Sequence, residues 1–167
     1  RAETLAASAP ELRGAILVDL GAALREAGSL DASGSTLADA VETATQAGDR
    51  RAAARARLER AFTQMHSWQG LEGIPDVADE VLPVLTELGD DEGLVRAWSL
   101  SGWAEYVHCR ISAAESKLER ALASLEQATD RRQERGIFTW LAKANVDGPR
   151  RADEAIARLG ELRARLG

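Results

Sequence analysis

Few side chains in this sequence stand at spacings that could do chemistry. Cys109 is the one cysteine and directly follows His108. Adjacent residues on a helix point about 100° apart, which makes them a poor chelating pair. His66, the other histidine, lies far away in the chain. The acidic run Asp90-Asp91-Glu92-Gly93 lacks the alternating ligands of a calcium loop. It suits a helix start, where the dipole favours negative charge. There is no GxxxxGK phosphate loop, no GxGxxG after a strand, no GxSxG elbow and no HExxH. The sequence therefore predicts a protein without catalytic residues, metal or cofactor.

Two further groups bear on binding. Arginines cluster at Arg50, Arg51, Arg55, Arg57 and Arg60, at Arg131, Arg132 and Arg135, and at Arg150 and Arg151. Acidic residues are interleaved with them, which favours a solvated face over a site for an acidic partner or nucleic acid. The aromatic group is more informative. Trp103 and Tyr106 stand three apart and so share one helix face. Such a pair serves either as recognition anchors or as core packing. Trp68 either projects over a partner or covers the end of a hairpin.

The elements that must position these residues are helical. The chain has 167 residues, 45% hydrophobic and only 4% aromatic. Ala, Leu, Arg and Glu dominate, a helical composition long enough for one domain with a sizeable core. The net charge of -6 argues against general affinity for nucleic acid or anionic membrane, since both require excess cationic charge. A lone cysteine suits a reducing cytoplasm, and no apolar run approaches a membrane span. Beginning at Arg1 and ending at Leu166-Gly167, the chain reads as a piece of something longer.

Periodicity and punctuation give eight helices in four hairpins, over about 10–47, 50–88, 91–128 and 131–165. Residues 1–8 read as the tail of a preceding element, and Ser8-Ala9-Pro10-Glu11 as the first helix start. Ser33-Gly34-Ser35-Thr36 makes a weak first turn for the second helix. Gly48 stops that helix and Asp49 caps the next. Pro75 suits a helix start, while Pro83 should kink the fourth helix. Asp90 or Asp91 is expected to cap the fifth, and Asp130 with Gln133 forms a capping-box pattern before the seventh. In the last helix Ile156, Leu159, Leu162 and Leu166 are expected to face a missing neighbour.

Within these hairpins a ladder of small and large residues recurs. From Trp98 it runs through Gly102, Ala114, Leu118 and Ala121. From Leu17 it runs through Leu20, Gly21, Leu24, Ser33, Leu37 and Ala40, an offset of 81 residues. Gly48-Asp49, Gly89-Asp90 and Thr129-Asp130 recur at steps of 41 and 40, which agrees with that offset. Small residues at this spacing let antiparallel helices approach closely. The chain is a tandem repeat.

The ladder resembles the tetratricopeptide repeat. Departures are Ser33 for alanine, Ser101 for leucine, Glu105 for an aromatic, an irregular second hairpin, and a period of about 40 in place of 34. The segments VLPVLTELGDDEGLVRAWSL and AAESKLERALASLEQATDRRQE further resemble the C-terminal helical-repeat region of large bacterial regulators. Those regulators join a cyclase-like or DNA-binding domain to a signal-transduction ATPase. The resemblance implies an all-α, right-handed α-solenoid that acts as a sensor or docking module, with any catalysis outside this chain. It implies that the first helix of each hairpin lines a concave groove. Ser99, Trp103 and Tyr106 from the third hairpin, Val18, Ala22 and Arg25 from the first, and Lys143 from the fourth would then face that groove. The expected partner is a protein or peptide, other domains of the parent chain included. Self-association as a homodimer, through the apolar end near Leu162, is the alternative.

Overall fold

The computed structural model describes residues 2–68, 71–128 and 133–165. All the described regular structure is helical. It comprises α1 (Ala2–Glu26), α2 (Leu30–Gln46), α3 (Arg50–Ser67), α4 (Ile74–Glu87), α5 (Asp91–Val107), α6 (Ile111–Leu125), α7 (Glu134–Asp147) and α8 (Ala152–Arg165). One turn of 3-10 helix, Leu71–Gly73, leads into α4. The four hairpins fall two and two into compact units, Arg1–Asp90 and Asp91–Gly167.

Each unit has the same packing plan. In the first, α1 packs on α2, α3 packs on both, and α4 packs on α3. In the second, α5 packs on α6, α7 packs on both, and α8 packs on α7. The ladder glycines explain the closeness of each leading hairpin. A Cβ on Gly21 would lie 2.4 Å from Leu37 Cγ, and one on Gly102 would lie 2.6 Å from Leu118 Cγ. No larger residue fits there without moving a buried leucine.

Helix ends are cut at a regular step by residues in the left-handed region. Gly28, Gly48, Trp68, Gly89 and Cys109 all have positive φ, and they recur every 20 or 21 residues. At four of them the next residue's N–H bonds back across the turn: Ser29 to Leu24 O, Asp49 to Ala44 O, Asp90 to Leu85 O and Arg110 to Glu105 O. That is the Schellman closure, which satisfies carbonyls the helix leaves open. The same residue then opens the next helix. Asp49 does so with its side chain, which accepts from Ala52 N at 3.0 Å.

Several local expectations change. α1 does not start at Ser8–Pro10 but runs from Ala2 through Pro10, carried by an alanine-rich segment of high helix propensity. α2 starts at Leu30, and Ser33 is fully buried. Its Oγ lies 2.8 Å from Gly21 O and 2.9 Å from Thr63 Oγ1, so a hydroxyl replaces the ladder alanine with its polarity satisfied. Asp90, which leads into α5, is gripped by both arms of Arg55, at 2.5 and 2.7 Å. Pro75 does sit in the first turn of α4, and that helix continues through Pro83. The capping box at Asp130 lies outside the described residues.

The core of the second unit joins Val95 of α5, Leu118, Leu122 and Leu125 of α6, Ile137, Phe138 and Leu141 of α7, and Leu162 of α8. Leu162 is therefore a core residue, 3% exposed, rather than part of an open end. Ile156 on the same helix is exposed, Leu159 is half-buried, and Leu166 lies outside the described residues. In the first unit Ala56 of α3 packs with Val18 and Ala40 of the preceding hairpin. None of the described helices is long and apolar enough to cross a membrane.

Candidate interaction surface

Seven residues are expected to line a groove: Val18 is buried with Ala40 and Ala56, Ala22 is half-buried, and the other five are treated differently. Arg25 belongs to the first unit, whereas Ser99, Trp103, Tyr106 and Lys143 belong to the second. Trp103 is 4% exposed. In this conformation it packs and does not offer surface. Truncating it would open a cavity. Ser99 is half-buried and donates its hydroxyl to Val95 O at 2.7 Å, a bond internal to α5.

Tyr106 and Lys143 do come together, and they bring two residues not anticipated from the sequence, Trp140 and Asp147. α5 packs on α7. Across that junction the Tyr106 ring meets Trp140 edge-on, with centroids 5.2 Å apart and planes at 62°. The Tyr106 hydroxyl donates a short hydrogen bond to Asp147 Oδ2. That bond pushes the phenol above its ordinary pKa, with burial and the carboxylate's charge adding to the effect. Lys143 is exposed, its Nζ 5.4 Å from the centre of the Trp140 ring, in cation–π range. Trp140 and Asp147 fall seven apart on α7, on the face Lys143 shares. That spacing was the sequence signal that could have found them.

The margin of this cluster is held by charge. Glu105, directly before Tyr106 on α5, accepts from Arg110 and from Lys117 Nζ at 2.8 Å. Arg110 foremost, then Lys117, holds its carboxyl below the ordinary range against the opposing effect of burial. The surface thus presents two aromatic rings, an exposed cation and a carboxylate on two neighbouring helices. These groups can stack, donate and accept.

Arg25 has a different role. Its guanidinium lies 3.2 Å from Glu59 Oε2, with side chains only 10% and 5% exposed, and 5.9 Å from the Phe62 ring centre. It forms a closed polar contact between α1 and α3. The basic cluster of α3 is engaged as well, Arg50 with Glu87 at 2.7 Å and Arg57 with Glu80 at 3.0 Å. This agrees with a solvated, self-neutralised face. A second groove, between α6 and α8, is likewise spanned by Arg150 with Glu115 at 2.5 Å and by Arg158 with Glu119. Both histidines serve helix ends, donating Nδ1–H to the carbonyl four residues back, His66 to Phe62 and His108 to Ala104. The described residues contain no group of three His, Cys, Asp or Glu able to hold a metal.

No family model matches the chain, and no curated protein matches it. Among solved structures it is similar to BtubC (BKLC) from P. vanneervenii, with a TM-score of 0.73 at 18% identity over 94% of this chain. The match spans 65% of the length of that protein. At this identity the likeness is one of fold: the helical arrangement, and not any binding activity, is what the two chains share.

Proposed function

We propose that this chain is a non-catalytic protein-interaction or sensing module, a right-handed tetratricopeptide-like α-solenoid from a cytoplasmic bacterial signalling or transcriptional regulator. It binds a peptide or protein segment along the first helices of its hairpins. The observation that carries this reading is the cluster of Tyr106, Trp140 and Lys143 on α5 and α7, aromatic area beside an exposed cation on a rigid two-helix base. Rigid aromatics give contact area at low entropic cost, and such residues dominate binding energy where they are found. The solenoid reading is supported by the repeated packing plan and the regular step of helix ends.

The cluster favours a segment with an apolar or aromatic side chain to lie on the rings and an acidic group to meet Lys143. The test is affinity capture from cell lysate with the native chain and a Tyr106→Ala, Lys143→Ala variant. Capture of a protein that the variant loses, with the variant's helical fold verified by circular dichroism, is the expected result. If both chains hold the same proteins, or neither holds any, the reading fails.

A further inference from the structure

Among the described side chains of the first unit, the largest uncovered aliphatic face lies on α1. Leu12, Ile16 and Leu20 are 60%, 62% and 47% exposed and fall four apart, one above another on the same side of the helix. Scattered exposed leucines need no explanation, but three in one stripe do.

The repeat says what such a face is for. Gly28 and Trp68 end α1 and α3 at equivalent points, so residues of α1 correspond to residues of α3 forty further on. The ladder offset of 81 carries α3 onto α7. In that register Leu12, Ile16 and Leu20 stand where α3 has Ala52, Ala56 and Arg60, and where α7 has Gln133, Ile137 and Leu141. Ala56, Ile137 and Leu141 are at most 1% exposed. Their cover is visible: Ala56 packs with Val18 and Ala40 of the hairpin before it, and Ile137 and Leu141 share a cluster with Leu118, Leu122 and Leu125 of α6. Arg60 is the exposed exception in this set. Twice, then, this face of a first helix is covered by the hairpin before it, with residues of that hairpin's second helix taking part. On α1 the same face carries larger aliphatic residues than on α3 and stands open.

We propose that the Leu12–Ile16–Leu20 face of α1 is a docking site for an amphipathic α-helix that presents leucines or valines at the spacing of Leu118, Leu122 and Leu125. The occupant lies against α1 as α6 lies against α7, with an aliphatic face and no charge at its centre, because nothing on the stripe would pair one. This surface is separate from the aromatic cluster on α5 and α7, and does not depend on it.

The probe is a fluorescent peptide of residues 111–128, the chain's own second-helix sequence, titrated against the full chain and followed by anisotropy. The native chain should bind it saturably at one site. Ile16→Glu in the chain, or Leu122→Glu in the peptide, should weaken binding by at least about tenfold. Because Ile16 is exposed, Ile16→Glu should leave the melting temperature unchanged, which separates loss of docking from loss of fold. Absence of saturable binding, or equal affinity for native and Ile16→Glu chains, overturns the proposal. So does a concentration-dependent dimer of the native chain that Ile16→Glu abolishes, since the occupant would then be a second copy.

Discussion

Four positions around Gly21 and their counterparts 81 residues on, around Gly102, occupy the same places in the repeat but carry opposite chemistry. Gly21 and Gly102 both let a leucine of the partner helix approach within van der Waals contact of the backbone. Around Gly21 the neighbours are Ser33, Thr63, Glu59 and Arg25, a buried polar column joined by hydrogen bonds. Around Gly102 the corresponding residues are Ala114, Ala144, Trp140 and Tyr106. Where Arg25 meets Glu59 in one unit, Tyr106 meets Trp140 in the other. The lesson is that the ladder specifies backbone approach, while the residues beside it are free to differ. A buried ion pair contributes specificity at a desolvation cost, whereas an aromatic pair contributes area that a partner can use.

The contrast should be widest when each pair is cut. Glu59→Ala leaves Arg25 charged and nearly buried without its partner, and should cost about 3–5 kcal/mol by chemical denaturation. Its counterpart Trp140→Ala removes a half-buried ring and should cost less. If Glu59→Ala proves as mild as a surface change, the polar column does not hold α1 to α3.

The ladder itself should respond alike in both units. Gly21→Leu and Gly102→Leu each force a side chain into space held by Leu37 or Leu118, and each should cost about 1–3 kcal/mol through overpacking. The two losses should agree to within about 1 kcal/mol, because the nearest approaches differ by only 0.2 Å. A loss confined to one substitution would break the equivalence of the units.

How much of this was legible follows from what each signal measures. The ladder, the offset of 81 and the Gly48-Asp49 stop and cap were readable because they are local or strictly periodic. Trp103 was not assigned to core or surface, since its register marks a face of α5 without saying what lies over it. Trp140 and Asp147 escaped notice because their meaning depends on Tyr106, a contact made only when α7 packs on α5. Leu162 looked like an open end because α8 was expected to have no neighbour beyond it, yet it turns inward to the core of α5–α7. The aromatic cluster was thus half visible, through Tyr106 and Lys143. The ion pair of Arg25 was not.

A smaller difference sits at the ends of α1 and α5. Gly28 and Cys109 occupy equivalent left-handed positions, φ 80° and 59°, but only glycine adopts that region without steric cost. Cys109→Gly should therefore raise stability by about 1 kcal/mol, and Gly28→Ala should lower it by a similar amount. Thermal melts of the two variants should move in opposite directions. Movement in the same direction would mean that Cys109 makes a compensating contact that Gly28 lacks.

The finest distinction is in titration. Tyr106 is the chain's only tyrosine, so tyrosinate absorbance reports it alone. The Asp147 hydrogen bond raises the folded phenol's pKa above its ordinary value of about 10. Its contribution to stability is whole below that value, where both folded and unfolded chains hold the proton. It is lost as pH climbs through the folded value, because the unfolded chain releases its proton first. Alkaline titration of the native chain should give a midpoint above that of Asp147→Ala. Equal midpoints would show that the bond does not persist in solution. Tyr106 would then be a ring held by Trp140 alone, with a hydroxyl free for a partner.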